Sequence, residues 1–337
     1  MTTVDVAIIG AGPTGLFAVF QCGMQKLRCA VIDALDVVGG QCQALYPEKP
    51  IYDIPAWPEI SGGDLAAKLK QQAAPFAPEY FLGQTVTGLK EHAGEWHLTT
   101  STGNSITAKA VIIAAGAGAF GPNRPPIEGI EAFEKTGAVQ YFVAKREDFR
   151  GKRLLIAGGG DSAVDWAVNL APLAEKIYVL HRRAKFRAAP EMAAQLEALS
   201  TDGSGRVELV VPYQLHALQG QGGALASITV SSLTGETRTL EVDNLLAFFG
   251  LSMDLGAIAS WGLNLDHNHI TINPATGATS VPGIYAVGDI ATYPHKLKLI
   301  ATGFAEAAQA AHAIYNYLYP DQPRHFQYST STGVPAA

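Results

Sequence analysis

The sequence predicts an α/β protein in which one strand–turn–helix–strand unit occurs twice, the second copy inserted into the first. Glycine-rich turns follow apolar runs at Gly10-Ala11-Gly12-Pro13-Thr14-Gly15 and Gly158-Gly159-Gly160-Asp161-Ser162-Ala163, and each leads into a helical pattern. Glycine-rich breaks at 115–122 and near Phe249-Gly250-Leu251 bracket the second copy, and such crossings are candidate hinges. The length of 337 residues exceeds what one hydrophobic core usually organises. The expected domains are therefore 1–117 with 250–337, and 118–249.

In the first copy, Val4 to Ile9 reads as a buried strand and Leu16 to Met24 as a helix. A second strand, Cys29 to Ile32, ends at Asp33. Each residue type has a physical task in a Rossmann-like turn. Gly10 permits the tight bend, and Gly12 lets backbone approach a pyrophosphate. Gly15 lets helix and strand pack closely, and the helix N-terminus favours the phosphates. Asp33 lies 18 residues beyond Gly15, where a carboxylate can accept from adenosine ribose hydroxyls.

The second copy repeats the order, with a strand at Arg153 to Ala157, a helix at Val164 to Leu170 and a strand at Lys176 to Leu180. Ala163 replaces the third glycine, which that packing position tolerates. Where Asp33 stood, this copy has His181-Arg182-Arg183, followed by Lys185 and Arg187. A carboxylate there would repel a 2′-phosphate, whereas guanidinium groups grip one. The first slot is thus expected to hold FAD and the second NADPH, which suggests hydride transfer between them.

After the second break, a strand at Ile284 to Val287 runs into Gly288-Asp289, and helical sequence resumes at about Leu299. An acid at that strand end can reach a ribityl hydroxyl.

Composition excludes several other classes. Apolar residues at 48% and charged residues at 16% describe a globular chain, and a net charge of −6 disfavours nucleic acid. No apolar stretch approaches a membrane span, and Met-Thr-Thr runs straight into a strand, so the expected location is cytoplasmic. Cys22, Cys29 and Cys42 form no Cys-x-x-Cys pair and no metal site, and are expected as reduced thiols in or near the core.

The paired glycine motifs, His181-Arg182-Arg183 with Arg187, Gly39-Gly40-Gln41 and Tyr285-Ala286-Val287-Gly288-Asp289 resemble the thioredoxin-reductase branch of two-dinucleotide flavoproteins. That branch carries a dithiol just before the second glycine motif. Here the stretch is Gln140-Tyr141-Phe142-Val143, without sulfur, so disulfide exchange has neither attacking nor resolving thiol. Ala44-Leu45-Tyr46-Pro47-Glu48-Lys49, the stretch from Gly158 through Trp166, and a tail at 324–332 are similar instead to the thioredoxin-reductase-like ferredoxin–NADP(+) reductases.

The resemblance implies two Rossmann-like domains, with the NADPH domain inserted into the FAD domain. FAD would contact Gly10, Gly12, Thr14, Gly15, Asp33, Gln41, Val86 through its backbone, Phe120 and Asp289. Tyr46 would stack on one face of the isoalloxazine and Tyr328 on the other, with Thr330 near its edge. NADPH would contact Gly158, Gly160, Asp161, Ser162, Ala163, His181, Arg182, Arg183 and Arg187. It further implies a homodimer in which the tail of one subunit shields the flavin of the other, and ferredoxin or flavodoxin as the electron partner.

The cofactors carry the chemistry, so no side-chain acid, base or nucleophile is expected. Two other readings stay open at this point: an NADPH-dependent flavin oxidase or monooxygenase, and a non-catalytic FAD/NADPH sensor. An acidic ferredoxin needs a local basic patch on this acidic chain. Lys145, Arg146, Arg150, Lys152 and Arg153 form one candidate, and Lys296 with Lys298 a second.

Overall fold

The structure is a computed structural model that describes residues 2–322 and 329–334, with backbone alone at 119, 120, 251 and 332. The chain divides into two units: Met1–Phe120 with Met253–Ala337, and Gly121–Ser252.

The first unit is built on β1 (Thr2–Ile9), α1 (Pro13–Met24) and β2 (Cys29–Ile32). The centre of β1 is apolar on both faces, and Val6, Ala7 and Ile8 are fully buried, as an inner parallel strand requires. Strand Ser105–Ile113 pairs in parallel with β1 and continues on its other edge with two partners. Its first half meets Glu95–Thr100 antiparallel, and its second half meets Ile284–Ala286 parallel. Strands Glu79–Phe81 and Val86–His92 close the two ends of this seven-stranded sheet. Helix Ile300–Leu318 packs on α1 through Ala307, Ala310, Ala311 and Ile314, an i, i+3, i+4, i+7 stripe that is fully buried.

Helix α1 begins at Pro13, three residues before the predicted Leu16, because proline at the first helical turn forfeits no intrahelical hydrogen bond. The short helix α2 (Gly40–Ala44) follows β2.

The second unit has a five-stranded parallel sheet in the order Val139–Gln140, Asn244–Ala247, Arg153–Ala157, Lys176–Leu180, Val207–Val210. Helix Asp161–Leu170 covers it through Val164, Trp166, Ala167 and Leu170. A three-stranded antiparallel meander over Tyr213–Gln221, Ala224–Ser232 and Thr237–Glu241 completes the unit. The breaks expected at 115–122 and near Phe249-Gly250-Leu251 carry short strands, Ala119–Pro122 and Leu251–Asp254, which pair as a two-stranded ribbon.

No helix among the described residues is long and apolar enough to cross a membrane, and none of their side chains cluster as a metal site.

Candidate functional site

In the first unit the carboxyl ends of β1 and β2 open into a cavity of about 490 Å³. Gly10, Gly12 and Thr14 line it, together with Asp33, Gln41, Tyr46, Val86 and Asp289, so one cavity gathers these predicted residues. Gly15 stands behind the turn. A Cβ on Gly15 would lie 1.9 Å from the Gly10 carbonyl oxygen, which enforces the close helix–strand approach. Gly12 is different: a Cβ there would meet only the Gly40 Cα at 3.9 Å, so its freedom from a side chain keeps space open toward the cavity. The N-cap of α1 at Gly12 has no side-chain cap, leaving the helix dipole directed at that space.

Asp33 holds the turn as well as facing the cavity. Its carboxylate accepts from the Ala11 N–H at 2.5 Å and the Leu35 N–H at 2.8 Å. Burial pushes its pKa up, against those two donors. Tyr46 is fixed from two sides. The Cys42 thiol, one helical turn earlier, lies 3.7 Å from the Tyr46 hydroxyl, and a Cβ on Gly62 would lie 3.2 Å from the ring. Burial pushes the Cys42 thiol up to about 11 and the Tyr46 phenol well above its ordinary value. Cys42 is therefore no thiolate at neutral pH and cannot stand in for a dithiol.

The far end of the cavity was not foreseen. Leu255, Ile258 and Trp261 give it an apolar wall, and Gln84, Thr85 and Thr87 flank Val86. Gln84 is buried and accepts from Thr102 at 2.8 Å and Asn104 at 2.9 Å. These residues follow no glycine motif, so nothing in the sequence set them apart. Thr330 is exposed on the turn Ser329–Thr332 and is not part of the cavity lining. Tyr328 and the Phe120 side chain lie outside the described residues.

In the second unit the glycine turn is roofed by the loop after Leu180. The Arg187 N–H donates to the Gly159 carbonyl at 2.6 Å, and Asp161 accepts from the Ala189 N–H at 2.8 Å. His181 lies so close that a Cβ on Gly159 would be 2.2 Å from its ring, and it stacks on Phe186 at 5.5 Å between centroids. Burial lowers the His181 pKa, and the positive charges of Arg183, Arg187 and Arg182 lower it further, so the ring is neutral at pH 7. Gly160, in contrast, faces open space, with nothing within 4 Å of a Cβ. Ser162 and Ala163 follow in the first turn of helix Asp161–Leu170, and Ala163 is buried where a Cβ on Gly158 would meet it at 2.8 Å. Arg182, Arg183 and Arg187 are exposed, and no described carboxylate pairs with them. Three unpaired guanidinium groups beside an open glycine turn suit a phosphate.

Neither candidate basic patch is a continuous free positive surface. Arg150 is paired to Glu147 at 2.7 Å, and Arg153 to Glu241 at 2.7 Å and Asp243 at 2.9 Å, so their charges are locally cancelled. Lys296 is no surface residue at all: its side chain is 5% exposed and pairs with Glu306. Only Lys298 of that second patch is exposed, 2.7 Å from His269.

The chain is similar to known proteins over almost its whole length. Residues 4–313 match the family model described as pyridine nucleotide-disulphide oxidoreductase. A protein of Granulibacter bethesdensis named ferredoxin–NADP reductase is 64% identical over 331 residues, covering 98% of this chain and 94% of that one. A protein of the same name from Paramagnetospirillum magneticum is 60% identical, covering 98% of each. Among solved structures, the thioredoxin reductases of Lactococcus lactis and T. acidophilum superpose with TM-scores of 0.80 and 0.81 at 24% and 22% identity. Each covers 94% of this chain and 99% of its own, and at that identity they establish the two-domain fold alone. The chain belongs to the pyridine nucleotide-disulphide oxidoreductase family, within its thioredoxin-reductase-like ferredoxin–NADP reductases.

Proposed function

We propose that this chain is an FAD-dependent reductase that takes hydride from NADPH and passes single electrons to, or reversibly from, ferredoxin or flavodoxin. The observation that carries the reading is a contrast between the two glycine turns. Both keep a glycine Cβ position open at a helix N-terminus, but Asp33 closes one site and Arg182, Arg183 and Arg187 close the other. The relatives' names supply the acceptor.

The residues of the first cavity fit FAD. Gly12 leaves the room a pyrophosphate fills, and Asp33 retains acceptor capacity for ribose hydroxyls after its two backbone bonds. Thr14, Gln41, Val86 and Asp289 line the remaining length, and Tyr46 offers a stacking face. Bound FAD supplies the conversion between a two-electron donor and a one-electron acceptor, which no side chain here can perform. Gly158, Gly160, Asp161, Ser162 and Ala163 shape the NADPH turn, and neutral His181 packs beside it while the three arginines hold the 2′-phosphate. Phe120, Tyr328 and Thr330 are assigned to the flavin by resemblance, the last two from the partner subunit of a cytoplasmic homodimer.

The test is spectroscopic. Purified protein should show flavin absorbance that NADPH bleaches without oxygen, and ferredoxin should restore it. Peroxide formation outpacing ferredoxin reduction would support an oxidase instead, and feeble turnover with artificial acceptors would support a sensor.

A further inference from the structure

Helix Ile300–Leu318 buries a stripe of alanines and one carboxylate, Glu306. A charge in such surroundings costs several kcal/mol unless it is fully partnered. Glu306 is partnered completely. Lys296 Nζ donates to its Oε1 at 2.7 Å and its Oε2 at 2.9 Å, and the two side chains are 5% and 3% exposed. The Tyr293 hydroxyl donates to Oε1 at 2.9 Å, and the Lys296 ammonium sits 5.2 Å from the Tyr293 ring centre. Burial and the Glu306 charge push the Tyr293 phenol up to about 12, so it remains a donor.

The remaining capacity of both charges goes to one residue. Glu306 Oε2 accepts from the Gly288 N–H at 2.7 Å, and Lys296 Nζ donates to the Gly288 carbonyl at 2.6 Å. The ion pair thus grips both backbone polar groups of a single glycine. Gly288 is also held sterically. It has φ +75°, a Cβ on it would lie 3.1 Å from Thr14 Oγ1, and a Cβ on Gly303 would lie 3.3 Å from its Cα. The next residue, Asp289, is exposed between buried Gly288 and Ile290, and it lines the cavity.

Buried ion pairs are poor devices for stability, since apolar residues of equal volume do as well or better. Their best-attested use is in specifying register or position. We infer that Lys296 and Glu306 are positioning residues: by holding the N–H and carbonyl of Gly288 they fix where Asp289 meets the flavin. This rests on the reading of the cavity as the FAD site.

The test uses full-length protein with the paired substitution Lys296→Met and Glu306→Gln, which strands no buried charge. FAD dissociation constant, midpoint potential of bound FAD and melting of the FAD-free protein are measured together. Affinity should fall on the order of tenfold or more, as for loss of charge-assisted hydrogen bonds, and the potential should move. A purely structural pair would lower the melting temperature and leave both flavin readouts at wild-type values, which overturns the inference. Combination with Asp289→Asn separates the two further, because residues acting as a unit are non-additive. The paired substitution should cost little additional affinity once Asp289 is gone, and an undiminished cost would count against the clamp. Should the paired variant fail to fold, Tyr293→Phe removes one donor and no charge. It should weaken FAD by about twofold to tenfold, and only when Asp289 is present; an equal loss without Asp289 refutes the role. If wild-type protein binds no FAD, the reading of the cavity fails rather than the clamp.

Discussion

Three alanine substitutions at glycines that look alike in sequence should behave in different ways. A Cβ on Gly15 would lie 1.9 Å from the Gly10 carbonyl oxygen, against an ordinary carbon–oxygen contact of about 3.3 Å. Relief needs α1 to move from β1 by roughly 1.4 Å, an overpacking that costs about 1–3 kcal/mol. Gly15→Ala should therefore lower the melting temperature of the FAD-free protein, at about 2–4 °C per kcal/mol for a domain of this size. Gly12 is already at φ −70° and ψ −179°, which any residue adopts, and its Cβ would have only one neighbour, at 3.9 Å. Gly12→Ala should leave the FAD-free protein as stable as wild type, while its methyl group occupies the place of the pyrophosphate. Loss of one charge-assisted hydrogen bond is worth about 1.5–3 kcal/mol, so FAD affinity should fall roughly 10- to 100-fold. Gly160→Ala, with nothing within 4 Å, should spare both stability and FAD and weaken NADPH alone. Calorimetry of the FAD-free proteins and titrations with each cofactor read all three. Wild-type FAD affinity in Gly12→Ala, or a large drop in its stability without FAD, would show that the open Gly12 position is not where the pyrophosphate lies.

Replacing Arg182 and Arg187 with Gln should raise the KM for NADPH by at least tenfold, at about 1.5–3 kcal/mol per charge-assisted bond, and leave that for NADH unchanged; steady-state kinetics with both nucleotides decides. The pH dependence of FAD-free stability should have two carboxylate limbs. Asp33 is held above its ordinary 3.8 by burial, so the folded state keeps a proton the unfolded chain has lost, and stability falls as pH rises from 3.8 through the raised value. Asp5 is desolvated too, but donation by Lys109 and by the Arg28 N–H outweighs burial and lowers its pKa. Its contribution is present above 3.8 and is lost as pH falls through the lowered value. Melting temperatures across pH should lose the first limb in Asp33→Asn, and the second should shrink in Asp5→Asn without vanishing, because Glu208 and Asp243 too, despite burial, are lowered by their basic partners. Because all three cysteines are buried and burial pushes the Cys42 thiol up to about 11, folded protein should resist iodoacetamide at pH 8 and should not reduce thioredoxin in a coupled disulfide assay.

Legibility in the sequence followed steric necessity. Gly10, Gly12 and Gly15 stand at fixed spacing because backbone must touch backbone or leave a gap, and spacing survives in one dimension. The charge difference between Asp33 and Arg182-Arg183 was equally plain, since it falls at the same point of a repeated unit. Trp261 and Leu255 were hidden, for they reach the cavity through folding of a segment that carries no motif. The same holds for Gln84, whose role depends on Thr102 and Asn104 across a strand pair. Lys296 was misread outright. A lysine two residues from Lys298 looks like surface charge, and only the fold brings Glu306, ten residues later, against it. The antiparallel meander over 213–241 alternates buried and exposed residues too irregularly to announce itself, with register shifts at Leu215/Ala217 and Gln219/Gly220.

On the proposed function, opposite charges at the ends of two equivalent strands sort FAD into one unit and NADPH into the other. Stopped-flow reduction of the flavin in the absence of oxygen, at matched concentrations of NADPH and NADH, reads that sorting out. Rapid bleaching by NADPH and slow bleaching by NADH are expected, a preference that disappears when Arg182 and Arg187 are replaced. Equal or faster reduction by NADH in the wild-type protein would contradict it.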